Sequence, residues 1–290
     1  MFDYRALAAL SEVVRRGSFE AAAHALGVTQ SAISQRIKAL EGRVGQILLD
    51  RGPPAAPTDT GLRLVAHFDQ VRLLEAGLDG PLGDDAGTPT IRIAVTADNL
   101  ATWAIHALPE APGLVDLVID DQDHAESWLR AGLVSAAITA EPGPVAGCDS
   151  FALGKMRYVA TASAAFVAAY FGGGVNAASL RRAPAITFNA KDGLQTQWIT
   201  IQTGERIAPP THLIPTTQGF HQAAILGMGW GMNPEILISE DLKTGRLVPL
   251  TESATLDVPL FWQVTRIFAP QLAGLTRAIR RAARDVLIQP

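Results

Sequence analysis

The stretch Ser18–Glu41, SFEAAAHALGVTQSAISQRIKALE, constrains the fold more tightly than any other part of the chain. Two short helical patterns are split by one glycine, Gly27. Ahead of them, Asp3 to Arg16 reads as a helix with Leu7, Leu10, Val13 and Val14 on one side, and Gly17 stops it. Ser18 is a natural N-cap for the second helix, and Thr29 caps a third that runs to about Val44. Two helices joined by a short glycine-containing turn make a helix-turn-helix. In the third helix Ile33, Ile37, Leu40 and Val44 recur at the spacing of a buried stripe. Ser31, Ser34, Gln35 and Lys38 gather on another face, as groups that bond base edges and phosphates in a major groove wide enough for a helix. A merely solvated face is the alternative for any amphipathic helix. The preceding helix, the glycine turn and the threonine cap favour a DNA-reading face. The expected DNA contacts are Thr29, Gln30, Ser31, Ser34, Gln35, Arg36, Lys38 and, further on, Arg51.

Charge divides along the chain. Residues 1–58 hold seven Lys/Arg against five Asp/Glu, a balance of +2, so the remainder of a chain with net charge −4 carries −6. Such asymmetry points to different partners for the two parts. With 290 residues, 48% of them apolar and 18% charged, the chain is an ordinary globular protein of about two domains. The lone Cys148 excludes an internal disulfide framework and fits a reducing compartment. The N-terminus lacks the pattern of a signal peptide, and no apolar run reaches the ~18 residues of a membrane span. A cytoplasmic location without membrane association is therefore expected.

Asp59 to about Leu78 forms a further helical pattern. Leu64, Phe68, Val71 and Leu78 make a seam that wants either a partner helix or its own domain to pack on. The segment 79–89 is rich in Gly, Pro and Asp without apolar periodicity, a linker. Beyond it, "TIRIAVTAD", "LVDLVIDDQ" and "SAAITAE" alternate with helical patterns, and a second alternating set runs from "APAITFN" to "WGMNPE". This predicts parallel, doubly wound sheets. Ligands of such sheets bind beyond the carboxyl ends of strands. That rule selects Asp98, Asn99, Asp121 and Thr139 in the first half, and the segment 189–192 with Thr216 and Thr217 in the second. A helix opening at Asn99 would offer N–H groups to a carboxylate. Between Ile93 and Leu129 there is no Lys or Arg, but seven acids. Asp121 and Asp192 are the ones placed to meet an ammonium or guanidinium, and together these features describe a basic amino acid.

The segment "FEAAAHALGVTQSAISQRIKALEGRVGQILLDR…PTDTG" resembles the LysR-type transcriptional regulators, and "VTADNLATW", "DDQDH", "GCDSFALGKMRY", "PTTQGF", "GWGM" and "LFWQ" look like their LysG/ArgP branch. In the wing, where the family carries Arg and Leu, this chain has Pro54 and Pro57. The resemblance implies a winged helix-turn-helix over residues 1–58, a dimerisation helix and hinge over 59–89, and a two-subdomain, periplasmic-binding-protein-like effector domain over 90–290. Its first subdomain takes in about 90–160 and 266–290, its second about 161–265. It further implies lysine or arginine as effector, an exporter or related transport gene as target, RNA polymerase as a further partner, and assembly as homodimer or homotetramer. Thr102 and Trp262, the latter at the rim, join the expected effector contacts. A general chromosomal or replication-origin binder, and a regulator of another small molecule, remain open within this class.

Two other classes fit less well. A transport-type binding protein would not carry the helix-turn-helix, and no Ser/His/Asp order, HExxH or Walker loop supports an enzyme. "DDQDHAE" does not promise a complete metal-ligand set, "GMGWG" reads as a turn, and no cofactor is expected.

Overall fold

The computed structural model describes residues 2–77, 88–119 and 125–289. Helix α1 (Tyr4–Arg16) starts at the Asp3 cap and closes on Gly17 in the left-handed conformation. Helix α2 (Phe19–Ala25) is capped by Ser18, and α3 (Gln30–Val44) by Thr29 before ending at left-handed Gly45. Ile33, Ile37 and Leu40 are buried against Leu7, Leu10, Val13 and Ala22 in one core, with Val44 half-buried at its edge. Strands β1 (Leu49–Asp50) and β2 (Ala56–Pro57) pair antiparallel as a short wing.

Helix α4 (Asp59–Ala76) leaves the wing from a Thr58 cap. A Cβ at Gly61 would lie 2.0 Å from the Leu48 carbonyl oxygen, so only glycine allows this approach of helix to wing. At 18 residues, α4 is about 27 Å long, long enough to join two cores. Val65 and Phe68 belong to the core of α1–α3, whereas Leu73 belongs to that of the C-terminal domain. Arg15 pairs with Asp69 where α1 crosses α4, and burial lifts the Asp69 carboxyl to about 6 against the pull of Arg15. Gln70 donates to the Gly132 carbonyl at 2.8 Å, tying α4 to the C-terminal domain. Part of the expected dimer seam is covered within the chain itself. Phe68 is buried in the chain's own core beside Tyr4, and Leu64 packs on the same core, because α1 offers the apolar surface that the seam needs. Val71 is half-buried, and Leu78 lies outside the described residues.

The C-terminal domain opens with β3 (Thr90–Val95), α5 (Ala97–Thr102), a 3₁₀ segment (Ala104–Glu110), β4 (Leu114–Ile119), α6 (Ala125–Arg130) and β5 (Ala136–Thr139). Strand β3 pairs in parallel with both β4 and β5, as βαβ alternation dictates. The chain then crosses on β6 (Cys148–Ala162) into α7 (Ala164–Phe171), α8 (Ala177–Leu180), β7 (Ala185–Thr187), α9 (Leu194–Thr203), β8 (Thr211–Leu213), α10 (Thr217–Ile225), β9 (Gly231–Pro234), α11 (Glu235–Thr244) and β10 (Val248–Pro249). It returns on β11 (Thr255–Thr265) and ends with α12 (Ala273–Val286).

One seven-stranded sheet runs β10-β6-β11-β5-β3-β4, with β9 also on β6; β7 and β8 form a separate parallel pair. To the parallel strands expected from the βαβ alternation the structure adds antiparallel ones. The 15-residue β6 and the 11-residue β11 pair antiparallel along their length, and these two crossing strands bind the halves into one mixed sheet. Trp103, Trp198, Trp230 and Trp262 are fully buried in this domain. Each brings a large apolar surface, and burying such a side chain is worth about 1.5–3 kcal/mol or more.

Candidate functional site

Two sites emerge, one on each side of α4. On α3 the cap fixes the start of the polar face: Thr29 Oγ1 accepts from Ala32 N at 3.2 Å. Gln30, Ser31, Gln35 and Lys38 are exposed, while Ser34 and Arg36 are half-buried. Since the same helix buries Ile33 and Ile37 completely, this face can turn outward only as a unit. Arg51 is placed differently. It pairs with Glu41 at 3.0 Å and lies over the Phe19 ring at 5.7 Å, while the other Glu41 oxygen accepts from Leu48 N. Its charge braces the wing against α3 and is partly neutralised there.

In the C-terminal domain, a cavity of about 400 Å³ lies at the carboxyl end of β3, between α5, β6, α9, α10 and β9. Asp98, Asp192, Asp257 and Lys191 are the charged residues of its lining. Tyr158, from the middle of β6, donates its hydroxyl to one Asp98 oxygen at 3.0 Å, and Thr217, from the start of α10, donates to the other at 2.8 Å. Burial pushes the Asp98 carboxyl up from its ordinary 3.8. The two hydroxyls pull it down, and the nearby Asp192 adds to the rise. Tyr158 is raised well above 10 by burial and by the adjoining carboxylate. Asp192 accepts from the N–H groups of Phe188 and Leu194 at 3.0 and 3.1 Å, which points a second acid to the same cavity. Phe220 and Met232 supply apolar wall. Asp257 lines the cavity too, but Arg157 grips it at 2.7 and 2.8 Å and holds its carboxyl below the usual range. A concave space that brings the Asp98 and Asp192 carboxylates to one wall suits a ligand with cationic groups.

The structure thus gathers Asp98, Asp192 and Thr217 at the cavity, and sends other expected contacts elsewhere. Helix α5 opens at Ala97 under a Thr96 cap, so Asn99 is no helix start: its side chain turns inward, bonding Thr96 and the Trp103 ring nitrogen at 2.8 and 2.9 Å. Thr102 donates back to the Asp98 carbonyl within the same helix. Thr139 is buried and spends its hydroxyl on Gln263 and the Glu141 carbonyl. Thr216 is exposed and caps α10 by accepting from Gly219 N. Trp262 is core rather than rim, fully buried with its ring N–H on Thr276 at 3.0 Å. Asp121 lies outside the described residues. Tyr158, Asn233 and Asp257 were missed by the strand-end rule, since all three sit within strands. A polar residue on an otherwise buried strand, as in "MRYVATA" and "GMNP", was the available signal.

A DNA-reading helix joined through one helix to a domain with a ligand cavity defines the class of effector-responsive transcriptional regulators. The chain belongs to the LysR family of these: residues 4–62 match the bacterial regulatory helix-turn-helix protein, lysR family, and residues 85–284 the LysR substrate binding domain. It is 44% identical over its whole length to the HTH-type transcriptional regulator ArgP of Pseudomonas aeruginosa, of which the match covers 98%. Among solved structures it resembles ArgP from Mycobacterium tuberculosis, with TM-score 0.75 and 41% identity over the whole of both chains. Full-length LysG from Corynebacterium glutamicum, solved with bound effector Arg, matches with TM-score 0.66 and 34% identity, covering 99% of this chain and all of that one. Among the described residues no helix is long and apolar enough to cross a membrane.

Proposed function

We propose that this regulator is controlled by a basic amino acid, arginine or lysine, bound in the cavity around Asp98, and that it governs an amino-acid exporter or related transport gene as a homodimer or homotetramer. The observation that carries the effector assignment is Asp98 itself. It is a carboxylate in a desolvated cavity, oriented by hydroxyls from β6 and α10, with Asp192 as a second anion nearby. Burying such a group costs free energy unless a cation meets it. A ligand with two cationic groups, the α-ammonium and the side chain, meets both acids. The cavity volume of about 400 Å³ falls in the lower part of the ~300–1,000 Å³ range of ligand sites and suits a single amino acid. The bound arginine of the Corynebacterium relative supports the same reading. On the DNA side, Gln35 and Ser34 read bases while Thr29, Gln30 and Lys38 hold phosphates, and Arg51 acts mainly by fixing the wing.

A thermal-shift screen of the full chain against the twenty amino acids tests the effector. A ligand at 100 times its Kd stabilises by about 2.7 kcal/mol, so arginine or lysine should raise the melting temperature and neutral or acidic amino acids should not. A shift produced by an acidic amino acid, or by none, would overturn the assignment. Footprinting then tests the regulatory reading: protection confined to one promoter and altered by the ligand is expected, against uniform coverage for a general chromosomal binder.

A further inference from the structure

Asn233, another polar residue of the cavity lining, has incomplete hydrogen bonding. Asn233, on β9, is fully buried. Its side-chain N–H donates to Thr161 Oγ1 on the neighbouring β6 at 3.1 Å, which fixes the amide plane, while its Oδ1 has no hydrogen-bond partner in the protein. Other buried polar atoms of the described residues share that condition, among them Gln195 Oε1 and the ring nitrogens of Trp198 and Trp230. Those residues are not in the cavity lining; among the described unpartnered atoms, the one on a cavity-lining residue belongs to Asn233. A buried acceptor left unpaired costs about 1–3 kcal/mol, so such an atom on a residue of the cavity wall marks where a donor can be taken up.

The position is also narrowly built. Gly231, two residues earlier on β9, has the Phe220 ring where a Cβ would be, at 2.5 Å, which seats the strand tightly against α10. Asn233 lies opposite Val159 in the β6 pairing, one residue from Tyr158. Asn233 therefore shares its face of the sheet with Val159 and with its partner Thr161, while Tyr158 leaves the neighbouring position on the other face.

We propose that Asn233 is a specificity-determining residue of the effector site, its Oδ1 accepting a hydrogen bond from a cationic group of the bound amino acid. This rests on the reading of the cavity as a basic-amino-acid site and adds to it. Asp98 and Asp192 supply charge, which any cation satisfies. Asn233 supplies a neutral, directional acceptor, which rewards a donor at one place. A guanidinium offers five N–H groups in a fixed plane and can reach several separated acceptors, whereas an ammonium offers three about one point. Arginine is therefore the ligand that gains most from Asn233.

The test is calorimetric titration of L-arginine and L-lysine into the full-length parent, Asn233→Leu and Asn233→Asp, with unfolding midpoints recorded without ligand. Leu keeps the branched shape, with larger groups, and removes the acceptor; Asp keeps the acceptor, cannot donate, and lets the Thr161 hydroxyl turn to it. Asn233→Leu should weaken arginine binding roughly tenfold or more, and lysine binding less. Asn233→Asp should bind arginine at least as tightly as the parent. If Asn233→Leu is too unstable to titrate, the Asp variant decides alone. Parent-like arginine binding by the Leu variant overturns the inference and leaves the proposed function standing. So does loss of binding by Asn233→Asp, which would mean that the amide donates to the ligand's carboxylate. A parent that binds neither amino acid overturns both.

Discussion

Helix α3 and the cavity around Asp98 place their polar groups under opposite conditions. On α3, Gln30, Ser31, Gln35 and Lys38 stand in water, where a side chain without a protein partner costs nothing. In the cavity Thr217 and Asn233 are buried and Asp98 is half-buried, and each bond must be accounted for. A surface of the first kind can bind DNA through many small contributions, salt-dependent and forgiving of any single loss. A cavity of the second kind concentrates its selectivity in a few groups, because leaving one of them unpaired is expensive. The same residue chemistry thus serves two purposes, decided by burial.

The strongest test of that contrast places a charge where the chain buries an aromatic ring. Phe68→Asp removes a side chain 5% exposed, at the crossing of α4 with α1. Deleting a buried Phe costs about 3–5 kcal/mol before any charge is added. Chemical unfolding of the variant should show the N-terminal module lost together with DNA binding. A module that stays folded while sedimentation reports a monomer would restore α4 as a seam between copies.

Next in size is the cavity acid. Asp98→Asn leaves the shape and removes the charge, so the affinity for arginine or lysine should fall by roughly thirtyfold or more, the ~2–5 kcal/mol of a broken desolvated pair. DNA binding by the ligand-free protein should be unaffected, since the exposed face of α3 lies across α4. The pH dependence has a definite sign. Burial raises the Asp98 carboxyl above 3.8, and only its ionised form attracts a cation. Effector affinity should therefore weaken as pH falls, beginning above the ordinary carboxylate range of about 4, and Asp98→Asn should lose that dependence. Titrations at two pH values decide it; unchanged affinity in the variant would move the cation site elsewhere in the cavity.

The two regions also differ in how much of them can be read before folding. The helix-turn-helix is local. Ser18 and Thr29 cap within three residues, and Ile33, Ile37 and Leu40 repeat within a single helix, so every determinant lies inside about thirty residues. The cavity is legible where a strand end carries its residue, as with Asp98, Asp192 and Thr217. It is hidden where distant pairing does: Asn233 meets Thr161 across 72 positions, and Arg157 meets Asp257 across 100. Asn99 misleads for a local reason. Thr96, not Asn99, caps α5, which turns the amide inward onto Trp103. Phe68 and Trp262 show the limit of periodicity: a stripe says that a residue wants cover, and only packing says which surface provides it.

The smallest effect belongs to the exposed face, and it is the one that separates reading DNA from holding it. Gln35 is exposed on α3, one residue before Arg36 and four before Ala39, on the side away from Ile33 and Ile37. A glutamine there can bond an adenine edge through its amide, whereas Lys38 on the same face can only neutralise a phosphate. Gln35→Ala should cost about 1–3 kcal/mol on the protected promoter sequence and almost nothing on a scrambled duplex, because no buried group is stranded by its removal. Lys38→Ala should weaken both duplexes alike and lower the salt slope by about one. Anisotropy titrations of the two variants on the two duplexes, at two salt concentrations, separate these patterns. Equal weakening of both duplexes by Gln35→Ala would make α3 a phosphate-holding helix and shift base reading to its neighbours Ser31 and Ser34.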